Sequence, residues 1–344
     1  MQVLSKPMNA PNLRDDQFLR AVCGLRPCRH GGLRIEQEQI AGKAVVHHYG
    51  HGGCGVTIAF GTAKVCCDLT QSICTPGESV AVLGGGVVGL ITARELAERG
   101  FRVEIYADKV GHDTTSILAG ALWLPVGIEF GDSESQLTQK QQILEHSLKS
   151  LRSLSAQRYG IEQLDVYEPI RTQTEPGLFK RGLIEEPVLI DSFPFPSQAE
   201  PLRSFRTLFI HTPRFLSALL DDLRAHGIPV HRRRFESARD LAELPQRTLV
   251  NCLALGSRDL FDDKQVYPAR GVLVHMKPQP LGYCVHDGYK YMFPREDALV
   301  LGGCFQPDQW DDVPDEALIH EIISHHRGFF GQACMERDGP KEPA

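Results

Sequence analysis

Apolar positions recur along this chain with two different periods, and the order in which the periods alternate outlines an α/β protein. After Ser79 the run VAVLGGGVVGL reads as a buried strand, a glycine turn and the start of a helix that continues to Arg99. Gly100 caps that helix, and Val103 to Tyr106 predicts the next strand. Leu144, Leu148, Leu151 and Leu154 repeat at helical spacing and predict one amphipathic helix between about Leu137 and Tyr159. Tyr167 to Leu202, with Phe193-Pro194-Phe195-Pro196 inside it, reads as loops and short strands.

Thr212-Pro213 reads as a capped helix start, with Phe215, Leu216, Leu219, Leu220 and Leu223 as the apolar face before Gly227. An edge strand of the same sheet should follow. Thr248 to Leu255 is a continuous apolar run ending at Gly256, as for a strand buried on both faces. Val272 to Met276 and Leu299 to Leu301 predict strands of a second, more antiparallel sheet. Met1 to Arg14 and Glu336 to Ala344 read as frayed ends.

The 344 residues suggest about two domains, each with its own core. A net charge of −6 argues against a polyanion as the main partner, and Arg232 to Arg234 reads as a solvated edge. The ten cysteines form no paired CxxC units, and no secretory segment precedes them, so reduced thiols in a cytosolic protein are expected. His47, His48 and His51 lie near Cys54 without zinc-type spacing, so no metal is expected. No apolar run approaches the roughly 20 residues that span a bilayer.

Gly84, Gly86 and Gly89 form GxGxxG between the predicted strand and helix. Gly84 allows the tight turn, Gly86 lets backbone N–H groups approach a pyrophosphate, and Gly89 lets the helix lie close on the strand. The helix start at Val87 and Val88 adds free N–H donors and partial positive charge. Asp108, 19 positions past Gly89, is the candidate for ribose hydroxyls, with Glu104 as competitor inside the strand. The motif alone leaves FAD and NAD both open.

Longer blocks narrow the choice. Asp113 to Pro125 (DTTSILAGALWLP) resembles the TTxxxAGxLWxP segment of the D-amino-acid and D-aspartate oxidases, which are FAD enzymes. Thr248 to Leu260 resembles their VVNCTG strand and turn, and Tyr267 to Val274 with Leu301 to Trp310 their xRG and LGGxFQxxxW segments. The C-terminal signature of that family, GLRPxR followed by HNYGHGGxGxT, is similar to Gly24 to Arg29 and His47 to Thr57. Here it comes first, so the chain resembles a circular permutant.

The resemblance implies a Rossmann-like FAD-binding domain, residues 28–128 with 205–262, and a mixed or antiparallel-sheet substrate domain, residues 129–204 with 263–344 and 1–27. It implies oxidative deamination of a D-amino acid: hydride passes from the α-carbon to flavin N5, the imino acid hydrolyses, and O2 reoxidises the flavin to give H2O2. Arg26 would pair with the substrate carboxylate, with Gly53 and Tyr289 or Tyr291 beside the substrate. Gly52, Gly53, Cys54, Gly55, Val56 and Thr57 would bring backbone N–H groups and the Thr57 hydroxyl to the flavin ring edge. Thr114, Thr115 and Ser116 would bond the pyrophosphate or ribityl chain, and Gly120, Ala121 and Leu122 would line the same cofactor.

His48 stands where the family has Asn, and Cys54 where an aromatic residue is common. Alternatives are glycine or an N-methyl amino acid as substrate, a D-dicarboxylate if Arg295 or Lys290 supplies a second cation, and a flavin-binding protein without turnover. Nucleic acid and membrane are not expected as partners, and the oligomeric state stays open, a homodimer included. The C-terminal Lys341-Glu342-Pro343-Ala344 lacks the peroxisomal tripeptide of some relatives.

Overall fold

The computed structural model describes residues 8–332 apart from 127, 173, 175 and 191–200. Phe193 to Pro196 and Glu336 to Ala344 therefore lie outside the described residues. The elements alternate as the periodicity requires. The first part of the chain forms β1 (Phe18–Arg29), β2 (Arg34–Ile40), β3 (Lys43–Tyr49) and α1 (Gly55–Gln71). The glycine-rich unit follows as β4 (Ser79–Gly85), α2 (Val87–Glu98) and β5 (Arg102–Val110). Next come α3 (Glu134–Ser153), α4 (Ala156–Tyr159), β6 (Ile161–Pro169), α5 (Pro176–Lys180), β7 (Val188–Ile190) and β8 (Leu202–Ile210). Then α6 (Thr212–Ala225), β9 (Val230–Arg232), α7 (Ala238–Ala242), β10 (Thr248–Asn251) and α8 (Ser257–Leu260) lead to the last sheet. That sheet is completed by β11 (Val266–Met276), β12 (Tyr283–Asp287), β13 (Lys290–Pro294), β14 (Leu299–Gly302), β15 (Gln306–Pro307) and α9 (Glu316–Phe329).

Two sheets result. The six-stranded sheet runs β2-β3-β10-β4-β5-β9, parallel except for the β2 edge, with β9 on β5 as the expected edge strand. The nine-stranded sheet runs β1-β11-β14-β13-β12-β6-β8-β7, with β15 on β11. It is antiparallel except where β6 meets β12, and β11 pairs with β14 at Val274 and Leu301. The fold is thus the α/β class with a Rossmann-like sheet and a mixed second sheet. Buried Trp123 ties them together: its indole N–H donates to the Thr57 carbonyl on α1, and its own carbonyl accepts from the Thr207 hydroxyl on β8.

Several boundaries differ from the sequence reading. A domain limit at residue 205 cuts β8, whose nine residues all pair with β6. A limit at 128 would send α3 to the second sheet, yet α3 packs on α1. Ser147 Oγ accepts from Gly61 N–H at 2.8 Å and donates to the Ile58 carbonyl at 2.9 Å, and a Cβ on Gly61 would lie 2.1 Å from the Ile143 carbonyl oxygen. The helix expected through Tyr159 breaks at extended Leu154 and restarts with Ser155 as N-cap. The Thr248 strand stops at Asn251, whose Oδ1 accepts from Leu253 N–H and turns the chain. His211, not Thr212, is the N-cap of α6; the Thr212 hydroxyl donates instead to the Ile117 and Ala119 carbonyls. Leu13 is fully buried, so the N-terminal segment is packed from that point rather than frayed through Arg14.

Candidate active site

Between the sheets lies a cavity of about 1360 Å³, larger than the roughly 300–1,000 Å³ typical of sites for small ligands. One end is made of backbone. Gly84 has φ +116°, and a Cβ there would meet the Cys252 carbonyl oxygen at 2.4 Å. A Cβ on Gly89 would lie 2.0 Å from the Gly84 carbonyl oxygen, so Gly89 sets the contact of α2 with β4 and does not line the cavity. At Gly86 a Cβ would protrude into the cradle at 3.4 Å from Ser116 Oγ. The first N–H of α2, on Val87, donates to that same oxygen at 3.1 Å, the position in which an anionic oxygen would compete.

Gly84, Gly86, Val87 and Val88 line this end together with Asp108, Thr114, Thr115, Ser116, Gly120, Ala121 and Leu122. Asp108 is exposed at the tip of β5, whereas Glu104 is engaged by His231 and the Tyr106 hydroxyl. Arg233, held by Glu243, and exposed Arg234 also border the cavity, so the solvated edge runs along its rim, and Arg232 turns to Asp113. Ala121 and Ala254, both cavity residues, hold positive φ of 51° and 55°, which L-residues other than glycine rarely adopt. Around Ala121 the chain is pinned to β8, by Ile210 N–H to the Ala121 carbonyl and Trp123 N–H to the Leu208 carbonyl. Such strain marks a shaped backbone.

The segment from Gly52 to Thr57 forms the middle of the wall. Its Thr57 hydroxyl does not reach inward as expected: it donates to the Cys54 carbonyl at 2.9 Å. The Cys54 thiol donates to the Val126 carbonyl. His47, His48 and His51 point to separate partners, Glu38, Thr92 and Thr62. Burial holds His51 at about 3, so it is neutral, and its Nε2–H donates to a Thr62 hydroxyl whose own proton serves the helix carbonyls. Among the described residues no cluster of three His, Cys, Asp or Glu side chains is placed to hold a metal ion.

The other end is made of side chains. Arg26 on β1 donates to the Cys304 carbonyl at 3.2 Å, lies beside Tyr291, and packs over Phe305 at 5.7 Å. Two glycines make room for this group. A Cβ on Gly271 would lie 2.4 Å from the guanidinium, and one on Gly302 would lie 2.4 Å from the Tyr291 ring. Both were open to notice as glycines inside strand patterns, the usual sign of a close approach. Among the described residues Arg26 has no carboxylate partner, whereas Arg29, Arg34, Arg203, Arg270, Arg295 and Arg327 all have one. Burial raises the Tyr291 pKa, so the phenol keeps its proton, and Tyr289 stacks on Phe305 at 5.0 Å at the outer edge. Arg295 and Lys290, the expected second cations, do not line the cavity: Asp297 holds the first and Glu321 the second. The polar side chains that do reach this end are ones the sequence reading did not single out: Arg171, and His286 backed by buried Glu168.

A glycine cradle at a helix start, an acidic strand end and a long cleft between a parallel and a mixed sheet define a dinucleotide-dependent enzyme of the two-sheet α/β class. Residues 79–339 match the FAD dependent oxidoreductase family, and the chain belongs to it. The chain is 30% identical over 263 residues to the D-amino-acid oxidase of Streptomyces coelicolor, covering 71% of this chain and 75% of that one. It is 28% identical over 255 residues to the D-aspartate oxidase of Homo sapiens, with 71% and 74% covered. Among solved structures, glycine oxidase from Bacillus cereus superposes with a TM-score of 0.55 at 17% identity, over 73% of this chain and 77% of that one. That likeness is one of fold. The cofactor of the family is FAD, and the backbone cradle fits it. Among the described residues no helix is long and apolar enough to cross a membrane.

Proposed function

We propose that the protein oxidises a D-amino acid at its α-carbon to the imino acid, with O2 as electron acceptor and H2O2 as the second product. The observation that carries this is Arg26, a guanidinium in the cavity without a carboxylate partner among the described residues. A substrate carboxylate supplies that partner, held bidentately, which fixes both charge and rotation about the Cα–carboxylate bond. Tyr291 lies beside Arg26 and burial keeps its phenol protonated, so its hydroxyl can donate to the same carboxylate. Tyr289 on Phe305 covers the outer side and restricts water.

FAD, when bound, accepts the hydride and returns the electrons to O2. Its pyrophosphate would lie on the Gly84–Gly86 turn and the α2 N-terminus, its ribose on Asp108, and its ring edge along the backbone of Gly52 to Val56. No protein base is assigned: His51 is neutral and faces Thr62. Hydride transfer from a neutral amine needs none. The visible spectrum of the purified, flavin-loaded protein under anaerobic conditions tests the reading. Bleaching of the oxidised bands by D-amino acids is expected, and bands that persist with all of them overturn the substrate assignment.

The order of the chain is part of this reading. We infer a circular permutation, with residues 24–57 serving as the family's terminal block. In support, β1 and β3 complete the two sheets from outside the matched residues 79–339. The ends of the described chain also meet: Arg327 on α9 donates to the Leu13 carbonyl at 2.9 and 2.7 Å and pairs with Asp15, and Gln332 donates to the Pro11 carbonyl. Termini in contact at a surface are what permutation requires. A chain rearranged as 79–332, a short linker and 8–75 should bind flavin as the native order does; a rearranged chain that cannot fold contradicts the inference. We infer a cytosolic location as part of the same reading, supported by cysteines that form no disulfide among the described residues.

A further inference from the structure

We propose that His286, seated on buried Glu168, determines which substrate side chain is accepted, and that it takes a carboxylate, making the substrate an acidic D-amino acid. The inference rests on the oxidase reading above and extends it. His286 on β12 stands directly across from Tyr291 on β13. Residues so paired point to the same face of an antiparallel ladder, and both line the cavity. Arg26 lies beside Tyr291, so a ligand with its α-carboxylate on Arg26 has His286 within reach of a short side chain.

The hydrogen-bonding balance on this rim decides the chemistry. Glu168 is fully buried on β6, and its oxygens accept from Arg203, from the Thr174 hydroxyl at 2.6 Å and from His286 Nδ1 at 2.9 Å. That bond fixes the imidazole and leaves Nε2 as the ring atom for a ligand. The second carboxylate, Asp287, is shared by Arg171 at 2.7 Å, the Thr172 hydroxyl at 3.0 Å and the His325 ring at 3.6 Å. Each acid on the rim is matched by an arginine, and His286 is the additional donor. A ligand carboxylate at Nε2 would be bridged by the His286 ring to Glu168, and Arg171 lies on the same rim. An apolar side chain would leave that donor desolvated without an acceptor.

The flavin-loaded protein is assayed with D-aspartate, D-glutamate and D-alanine, and malonate and propionate are titrated calorimetrically as unreactive di- and monocarboxylates. The wild type should prefer the acidic substrates. His286→Leu should reduce kcat/KM for D-aspartate about tenfold more than for D-alanine, mainly through KM, as expected for losing a hydrogen bond to a charged group. Malonate should weaken relative to propionate by about the same factor, and His286→Gln, which keeps a donor, should recover part of both losses. Flavin content and melting temperature establish that each variant is folded. Equal losses for both substrates, or a wild type that prefers D-alanine to D-aspartate, overturn the assignment. If no amino acid bleaches the flavin while malonate still binds through His286, the oxidase reading falls and the carboxylate site stands.

Discussion

The two ends of the cavity are built by different means. At the cofactor end the contacts come from backbone held in place by close packing: Gly84 against the Cys252 carbonyl, Gly89 against the Gly84 carbonyl, and Ala121 at φ 51° tied to β8. At the substrate end they come from side chains on β1, the loop after β6, and the β12–β13 pair, three chain segments that lie far apart in sequence. The first construction tolerates almost no added atom. The second depends on charge and hydrogen-bond balance, and it can change its ligand by changing one donor.

The largest expected effect lies in the packed half. Gly89→Val sets a Cβ 2.0 Å from a carbonyl oxygen that neither α2 nor β4 can move, so a loss of about 3 kcal/mol or more is expected, with loss of bound flavin. A urea midpoint close to wild type would show that the α2–β4 contact is less rigid than its geometry. Next is Arg26→Ala, which should keep its flavin and stability and raise KM about a hundredfold, the loss of a charge-assisted bidentate pair. Unchanged kinetics would remove Arg26 from the substrate end altogether.

Acid should weaken both halves by the same mechanism. Burial holds His51, in the cofactor half, at about 3, and His275 and His326, in the substrate half, at about 4. Their ordinary value is 6.5. Below it the unfolded chain takes up protons that the fold refuses, so stability is complete above 6.5 and falls as pH falls toward 4. Each ring contributes about 1.4 kcal/mol per pH unit in that window. Urea midpoints measured from about pH 7 to about pH 5 should therefore decline, and His51→Gln and His326→Gln should each flatten the slope. Midpoints that do not move with pH would mean these rings are hydrated. The smallest effect is Ser116→Ala, which removes a single hydroxyl at the α2 N-terminus; flavin affinity measured by fluorescence titration should change only severalfold, about 1 kcal/mol or less. A large loss there would transfer weight from backbone to side chains at the cofactor end.

What was legible follows the same division. The strand, turn and helix of the Gly84 unit, the edge strand at Val230 and the β11–β14 pair are local or periodic features, and the structure has them. Helix α3 carries a correct apolar stripe, but a stripe does not say which partner it will cover, and a groove at Gly61 decided that. The Thr212 hydroxyl had a standard cap position and a better offer from two loop carbonyls. Lys290 and Arg295 were near in sequence to the expected substrate strand, yet each had found an acid of its own.

The amino-acid sequence by itself determined the cofactor cradle, because GxGxxG between strand and helix encodes a turn, a close approach and a helix dipole within one short segment. It also carries the order of its blocks, from which the permutation is inferred, since block order is a property of the chain. Only the tertiary structure decided which cations face the substrate. Arg26, Arg171 and His286 are ordinary polar residues until the folded sheets assign each one its neighbours: Arg171 goes to Asp287, His286 to Glu168, and Arg26 to no carboxylate among the described residues, and that pairing, not the residue type, gives the site its chemistry.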